Sequence, residues 1–476
     1  ACKEIPYFFF LMKRKDKNEI INTNYIASKP WLAEEVNNRL KERDNIFNVC
    51  EDEFESNKWF QLMNKFSKYG EITRGNKIKL FENSRDSYLS MIESIDSAKK
   101  RVWFETYIFE ECETGEKFVD SFCEASQRGC EVILLLDAFG SSKFPKRWEQ
   151  KLLKNNVKVI WFNPISQIFK DTFLFRNHRK LLIADEKAYC GSINITNRIN
   201  DSSLNDEANI KNYNIICNSA YKKLIFLFKQ VIYSISPIKV NKLCFYDVHA
   251  EIEGPATYDL GKVFIDSLKE SKCGQIPIIF QRPKEIKNGT ILQVLYSNTR
   301  RQHRGIQNVL NIATKNSNSY IYLTTSYFFP PSFLRRAIQT AINNNVKVSM
   351  LLSGRSDIPG DTIATKYLIK RFIQNNVRFF FTRNIHCHAK YITIDGIWSS
   401  FGSFNWDGFS ANRNLEVSVA SFDSKIASQL MKMHSKMTHS FQSTEQTINQ
   451  WNEQSRLTRV CSKAAYMLIK FVNKYL

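Results

Sequence analysis

His178-Arg179-Lys180-Leu181-Leu182-Ile183-Ala184-Asp185 and, 210 residues later, His388-Ala389-Lys390-Tyr391-Ile392-Thr393-Ile394-Asp395 follow one pattern, His-x-Lys-x4-Asp. Each is followed by Gly-Ser-x-Asn, as Gly191-Ser192-Ile193-Asn194 and as Gly402-Ser403-Phe404-Asn405. Histidine is scarce, seven in 476 residues, so two matches with the same sequel mark a duplication. Each copy brings one imidazole and one ammonium to something anionic.

Outward from these segments the chain alternates strand and helix. Ile78–Phe81 reads as a strand, 84–99 as a helix, Val102–Ile108 as a strand, 116–127 as a helix, and Glu131–Asp137 as a fully buried apolar strand. The order recurs with Thr290–Leu295, helix 302–316, Tyr320–Thr324, helix 332–344 and Val346–Leu352. Just before each His-x-Lys segment stands a matching phrase, Asn155-Asn156-Val157 and Asn375-Asn376-Val377. This alternation predicts two α/β layers, each a mostly parallel or mixed sheet flanked by helices. The expected divisions are an N-terminal extension (1–77), a first repeat (78–275) with an insertion at 200–243, a second repeat (276–441) and an amphipathic tail (442–476).

On a strand, residues i and i+2 share a face, so His178 lies with Lys180 and His388 with Lys390. Asp185 and Asp395, seven positions on, fall on the opposite face by parity and read as supports, although they complete the catalytic motif. The hydroxyls and carboxamides of Ser192, Asn194, Ser403 and Asn405 are candidates to donate to substrate oxygens. If the copies face each other about a pseudo-twofold axis, two imidazoles, two ammoniums and four neutral donors converge. Such a set suits a phosphodiester. Cations and donors offset charge on the pentacoordinate phosphorus, while one imidazole attacks and the other protonates the leaving alkoxide. The lysines do the charge work, so neither metal nor other cofactor is expected.

The formal charge of +21 points to anionic partners: nucleic acid, anionic lipid or phosphorylated substrates. Eleven cysteines without a CxxC read as free thiols in a reducing compartment. Cys387, between His386 and His388, also admits a thiol-nucleophile or metal reading, against which stands Asn177 at the matching place in the other copy. No run approaches the ~18 apolar residues of a spanning helix. The chain begins at Ala1, which leaves open a removed targeting or anchoring segment. The stretch 462–476 puts Lys463, Lys470 and Lys474 on one helical face among Tyr466, Leu468, Ile469, Phe471, Val472 and Leu476, a pattern able to lie in a bilayer interface; the insertion around Tyr221–Tyr233 shares it.

With both motifs quoted, the chain resembles the phospholipase D superfamily from about residue 78 onward, and within it the bacterial-type cardiolipin synthases. Glu105-Thr106-Tyr107-Ile108-Phe109, Asp137-Ala138-Phe139-Gly140-Ser141, Thr325-Ser326-Tyr327-Phe328-Phe329-Pro330, Ser353-Gly354-Arg355-Ser356-Asp357 and Asn414-Leu415-Glu416 resemble family phrases in the expected order. Tyr246-Asp247-Val248-His249, leading to Ile252-Glu253-Gly254-Pro255, resembles the segment that in the family follows the Gly-Ser-x-Asn turn closely. Phe245 and Tyr246 depart from its Trp-Arg.

The resemblance implies a duplicated α/β fold of two mixed sheets related by a pseudo-twofold axis. It also implies Asp247 and Glu416 as the carboxylates that orient the imidazoles, with Glu207 a rival for the first role. His178 would be the nucleophile of a phosphohistidine intermediate, with His388 as acid and then base. The implied activity is cardiolipin synthesis by transfer of a phosphatidyl group to phosphatidylglycerol. The donor would be phosphatidylglycerol or CDP-diacylglycerol. The alternatives are hydrolysis to phosphatidic acid, a nuclease or phosphodiesterase, and a binding relic without activity. The expected location is a membrane surface, bacterial cytoplasmic or mitochondrial inner, with nucleic acid not expected as partner. The internal pair leaves the oligomeric state open.

Overall fold

In the computed structural model the described residues are 29, 31–47, 53–164, 174–198, 244–356, 358 and 360–475, with the side chains of 47, 53–57 and 472–475 also left out. The insertion, Glu207 and the first 28 residues lie outside them. The first repeat contributes β1 (Ile72–Phe81), β2 (Arg101–Thr106), β3 (Glu131–Asp137), β4 (Lys158–Phe162), β5 (Leu181–Ala184), β6 (Lys187–Gly191), β7 (Phe245–Tyr246) and β8 (His249–Glu253). The second contributes β9 (Thr290–Asn298), β10 (His303–Arg304), β11 (Tyr320–Thr325), β12 (Lys347–Leu352), β13 (Arg378–Thr382), β14 (His386–Cys387), β15 (Tyr391–Ile394), β16 (Trp398–Gly402), β17 (Glu416–Phe422) and β18 (Ser443–Glu445).

Strand order reads the same in both repeats: β1-β8-β6-β5-β2-β3-β4 and β9-β17-β16-β15-β11-β12-β13, with β18 added to the second edge. β2-β3-β4 and β11-β12-β13 run parallel, the other neighbours antiparallel. The two predicted sheets are joined through antiparallel β1 and β9, with Ile72 opposite Gln293 and a bulge between Thr73 and Asn76. The duplication thus becomes one long mixed sheet with its pseudo-twofold axis at that seam. Its two halves share a core: Leu181, Ile183, Ala250 and Ile252 pack in one cluster with Phe401, Val417 and Val419.

The outer faces carry helices. Phe118 and Phe122, on the helix Glu113–Gln127, meet Phe104 of β2 at ring separations of 6.0 and 5.3 Å. The N-terminal helices Trp31–Phe47 and Glu53–Phe66 join the second repeat's core through Leu32, Val36, Trp59 and Phe66. The Asn-Asn-Val phrases end helices. Asn156 and Asn376 adopt φ of 58° and 61°, and the following valine N–H groups reach back to Leu152 O and Phe372 O at 3.0 and 3.2 Å. This left-handed cap turns the chain directly into the next parallel strand. Asn345-Val346 repeats the device with φ 62° and a 3.1 Å bond to Ala341 O.

Candidate active site

Two short reciprocal seams build the site. The segment before β5 pairs with the segment before β17: His178 N donates to Leu415 O (3.0 Å), and Leu415 N donates to Arg176 O (2.8 Å). The segment before β15 pairs with β7: β14 runs parallel to it, and His388 N donates to Tyr246 O at 2.8 Å. Each repeat therefore lays the backbone of its histidine against the carboxylate-bearing segment of the other.

The side chains cross accordingly. His178 Nδ1 meets Glu416, 3.1 Å from each carboxylate oxygen. His388 Nδ1 meets Asp247 Oδ1 at 2.7 Å. Both carboxylates are buried, and with Nδ1 so occupied each ring presents Nε2, for which the described residues offer no hydrogen-bond partner. An aromatic ring lies against each imidazole: Tyr107 edge-on to His178 at 5.1 Å, and Phe245 stacked on His388 at 4.9 Å and 21°. Phe245 thus keeps an aromatic face where the family pattern has tryptophan.

The lysines are buried too. Lys180 Nζ donates to His178 O at 2.6 Å, and Lys390 Nζ donates to His388 O and, at 2.9 Å, to Ser326 Oγ. Burial lowers both against the pull of the carboxylates, Lys180 to about 7, with repulsion from Lys390 adding to it, and Lys390 to about 8. Burial, with Lys390 adding to it against Asp247, takes His388 to about 3. His178 is also lowered by burial, against the opposing charge of Glu416. For Asp247, burial alone would raise the carboxyl, but His388, Lys390 and Ser192 together bring it to about 2. Glu416 is lowered in the same balance by His178, Lys180 and Ser403. The resting pocket thus holds two carboxylates, two neutral imidazoles and two lysines that give up protons readily. An arriving anion reverses that tendency and favours the protonated forms.

A family model described as "Cardiolipin synthase, PLD-like domain" matches residues 91–231 and 310–438, more than half of the chain. The chain belongs to this phospholipase D-like family. Both His-x-Lys segments and both Gly-Ser-x-Asn turns fall within the matched spans. Similar proteins include a cardiolipin synthase of Oceanobacillus iheyensis, 25% identical over 364 residues that cover 75% of this chain and 68% of the relative. Cardiolipin synthase B of Escherichia coli K12 is 25% identical over 356 residues, covering 73% and 77%. In fold the chain is similar to phosphatidylserine synthase of Haemophilus influenzae, with a TM-score of 0.61, 12% identity, and coverage of 87% of this chain and 99% of that one.

Seen as a phospholipase D-like pocket, the site corrects two expectations. Asp185 and Asp395, counted in the catalytic set, stand in turns at the far ends of β5 and β15. Each accepts three backbone N–H groups: Lys99, Lys100 and Arg101 for the first (2.8–3.0 Å), Asn318, Ser319 and Tyr320 for the second (2.8–3.1 Å). The motif's aspartate clamps the strand that carries the lysine and does not meet the imidazoles.

Ser192 and Ser403, expected on the substrate, are committed elsewhere. Ser192 Oγ donates to Asp247 (2.7 Å) and accepts Val248 N (3.0 Å), while Ser403 Oγ donates to Glu416 and accepts Val417 N (3.0 Å). With its one proton given to a carboxylate, neither has a donor left for substrate. The asparagines differ. Asn194 accepts Ile108 N at 3.2 Å but leaves its side-chain nitrogen unpartnered, and the Asn405 side-chain oxygen is likewise buried and unpartnered.

Sequence reading missed several participants. Arg179, the motif's variable residue, is buried and donates to Glu416 O, Ser267 Oγ, Asp266 and Ser297 O at 2.7–3.3 Å, tying the repeats together where the second copy has Ala389. Ser410 and Asn414 add donors to Glu416 at 2.7 and 3.2 Å. His249 is buried beside Gly191 with both ring nitrogens unpartnered, lowered by burial to about 3. Arg179 stands at the motif's variable position, and His249 and Asn414 stand in phrases that drew attention for their carboxylates, so the sequence signalled their places but not their contacts. Cys387 is a packed thiol pushed by burial to about 12, unsuited to act as a nucleophile.

Proposed function

We propose that the chain is a phosphatidyl transferase of the cardiolipin synthase type, acting through a phosphohistidine. One observation carries the chemistry: His178 and His388 are each held at Nδ1 by a carboxylate of the other repeat, and Lys180 and Lys390 lie close enough for their charges to act on His178, as Lys390 does on His388. The substrate class is supported by the names of the relatives. The phosphodiester sits between the lysines, whose affinity for protons rises as the anion enters. His388 takes up a proton at Nε2 as the anionic phosphodiester enters; His178 Nε2 then attacks phosphorus, the P–O bond to the headgroup breaks, and His388 gives that Nε2 proton to the leaving alkoxide. The hydroxyl of phosphatidylglycerol then attacks phosphorus, its proton passes to His388, and the P–N bond breaks. Asn194 donates to a lipid oxygen and the Asn405 side-chain oxygen accepts from a lipid hydroxyl, while Asp247 and Glu416 hold the rings and offset the imidazolium charge. Phosphatidylglycerol, or CDP-diacylglycerol, serves as donor at an anionic membrane surface.

The roles of the two histidines also admit exchange, because each imidazole is held at Nδ1 by a buried carboxylate in the same way. An aryl phosphodiester separates the two, because its leaving group needs no proton. His388→Ala should then accumulate labelled enzyme and His178→Ala none; the reverse result assigns the nucleophile to His388. The reaction itself is tested by incubating the protein in chelator with labelled phosphatidylglycerol vesicles, and separately with single-stranded DNA. Cardiolipin with glycerol is expected. Phosphatidic acid alone would make the protein a hydrolase, and nucleotide fragments a nuclease.

A further inference from the structure

The helix Arg456–Tyr475 is docked on one side and solvent-exposed on the other. Ala465, Tyr466 and Ile469 pack against the second repeat's core, with the Tyr466 ring 5.4 Å from Phe329 and 5.1 Å from Tyr367. Leu457, Val460, Met467 and Phe471 face outward, 74, 65, 54 and 59% exposed. Their spacing, with the exposed Ala464, puts them on a single stripe of the helix. Arg456, Lys463 and Lys470, seven apart and exposed, border that stripe, and Arg459 lies close by. The helix contains no Asp or Glu.

Its place in the fold matters as much. Phe329, under Tyr466, donates its N–H to Trp406 O at 2.8 Å, next to Asn405. Three residues earlier Ser326 receives Lys390. The helix therefore rests on the segment that lines the pocket. The rim carries further exposed apolar side chains at equivalent places in the two repeats: Phe139, 52% exposed, after β3, and Ile358, 43% exposed, after β12. Both loops abut residues beside the catalytic histidines, through Asp137 to Asn177 N (3.0 Å) and Ser353 Oγ to His386 Nδ1 (3.0 Å).

We infer that this outward stripe is a docking surface for an anionic bilayer, and that it sets the pocket rim against the lipid headgroups. Side chains of this kind in the interfacial layer, with cations among anionic headgroups, satisfy both halves of the pattern. A second copy of the helix satisfies one half: it covers the apolar stripe but brings no acidic residue to answer the cations. The surface goes beyond the transfer reaction, since it concerns where the chain sits rather than which bond it breaks.

The test uses the full chain and sucrose-loaded vesicles of phosphatidylcholine, with and without phosphatidylserine. The parent should pellet preferentially with the anionic vesicles. Leu457→Ser/Met467→Ser/Phe471→Ser should weaken pelleting at least about tenfold. Arg456→Gln/Lys463→Gln/Lys470→Gln should erase the anionic preference, about fivefold per cation at low salt. Both variants should turn over monomeric short-chain phosphatidylglycerol at the parent's rate. Variants that pellet like the parent, or a parent indifferent to phosphatidylserine, would overturn the inference. So would lipid-free self-association that the apolar variant abolishes. A parent that pellets as expected yet converts no lipid supports the surface and sinks the transfer reading alone.

Discussion

Glu416→Gln tests the crossed architecture most directly, because Glu416 belongs to the second repeat and serves the first repeat's histidine. The buried carboxylate lies 3.1 Å from His178 Nδ1 through both oxygens and collects Ser403, Ser410 and Asn414 besides. An imidazolium about 4 Å from a carboxylate, at the effective dielectric of such sites, gains roughly 4 kcal/mol. If about half of that charge has developed when His178 attacks phosphorus, neutralising Glu416 costs about 2 kcal/mol, or roughly 30-fold. A carboxamide also offers one acceptor oxygen where the carboxylate offers two, so part of the population holds the ring in the wrong tautomer; losses of this kind reach ~10⁴. A fall of about 10³ in the rate of enzyme labelling is therefore expected. Losing Glu416 also lowers the proton affinity of His178 further, so a limb of the pH profile set by that histidine moves toward acid. The assay is burst labelling with an aryl phosphodiester in the His388→Ala background. There Glu416→Gln should be slow and Asp247→Asn nearly unaffected. Equal rates for the two, or slowing by Asp247→Asn alone, would refute the crossed pairing.

Three other expectations follow from the same geometry. Lys180→Met should abolish transfer while removing a pH dependence of stability. A lysine lowered from 10.5 to about 7 on folding leaves the unfolded chain holding more protons, so parent stability rises between about pH 7 and 10.5, by up to about 5 kcal/mol, and denaturant titrations across that range should lose this rise in the variant. Asp395→Asn should cost about 1–3 kcal/mol of stability by weakening three backbone contacts, seen as a lower denaturation midpoint, with per-molecule activity retained well below the midpoint. Gly402→Ala should impair both, because its Cβ would stand 2.3 Å from Val417 O, forcing β17 and Glu416 outward; thermal melts and labelling rates should fall together.

What was legible in the sequence followed from local rules. The doubled His-x-Lys and Gly-Ser-x-Asn phrases give the duplication, and strand parity puts His178 with Lys180 and His388 with Lys390. The same parity set Asp185 and Asp395 apart from them, and their place in left-handed turns (φ 52° and 53°) holding backbone N–H groups explains why each ends its motif. The serines misled because a hydroxyl near a site donates equally well to substrate or to carboxylate, and spacing does not announce the partner: Asp247 is 55 positions from Ser192, Glu416 13 from Ser403.

By itself the sequence determined the alternating strands and helices, the helix caps at Asn-Asn-Val and the paired histidines and lysines proposed to carry the chemistry, since each depends on neighbours a few positions away. Tertiary structure alone decided that β1 and β9 fuse the repeats at their seam, that Glu416 serves His178 and Asp247 serves His388, and that burial strips the lysines of much of their hold on protons. Those depend on contacts between residues as many as 238 positions apart, where no periodicity reaches. The field around each group is set by everything packed against it.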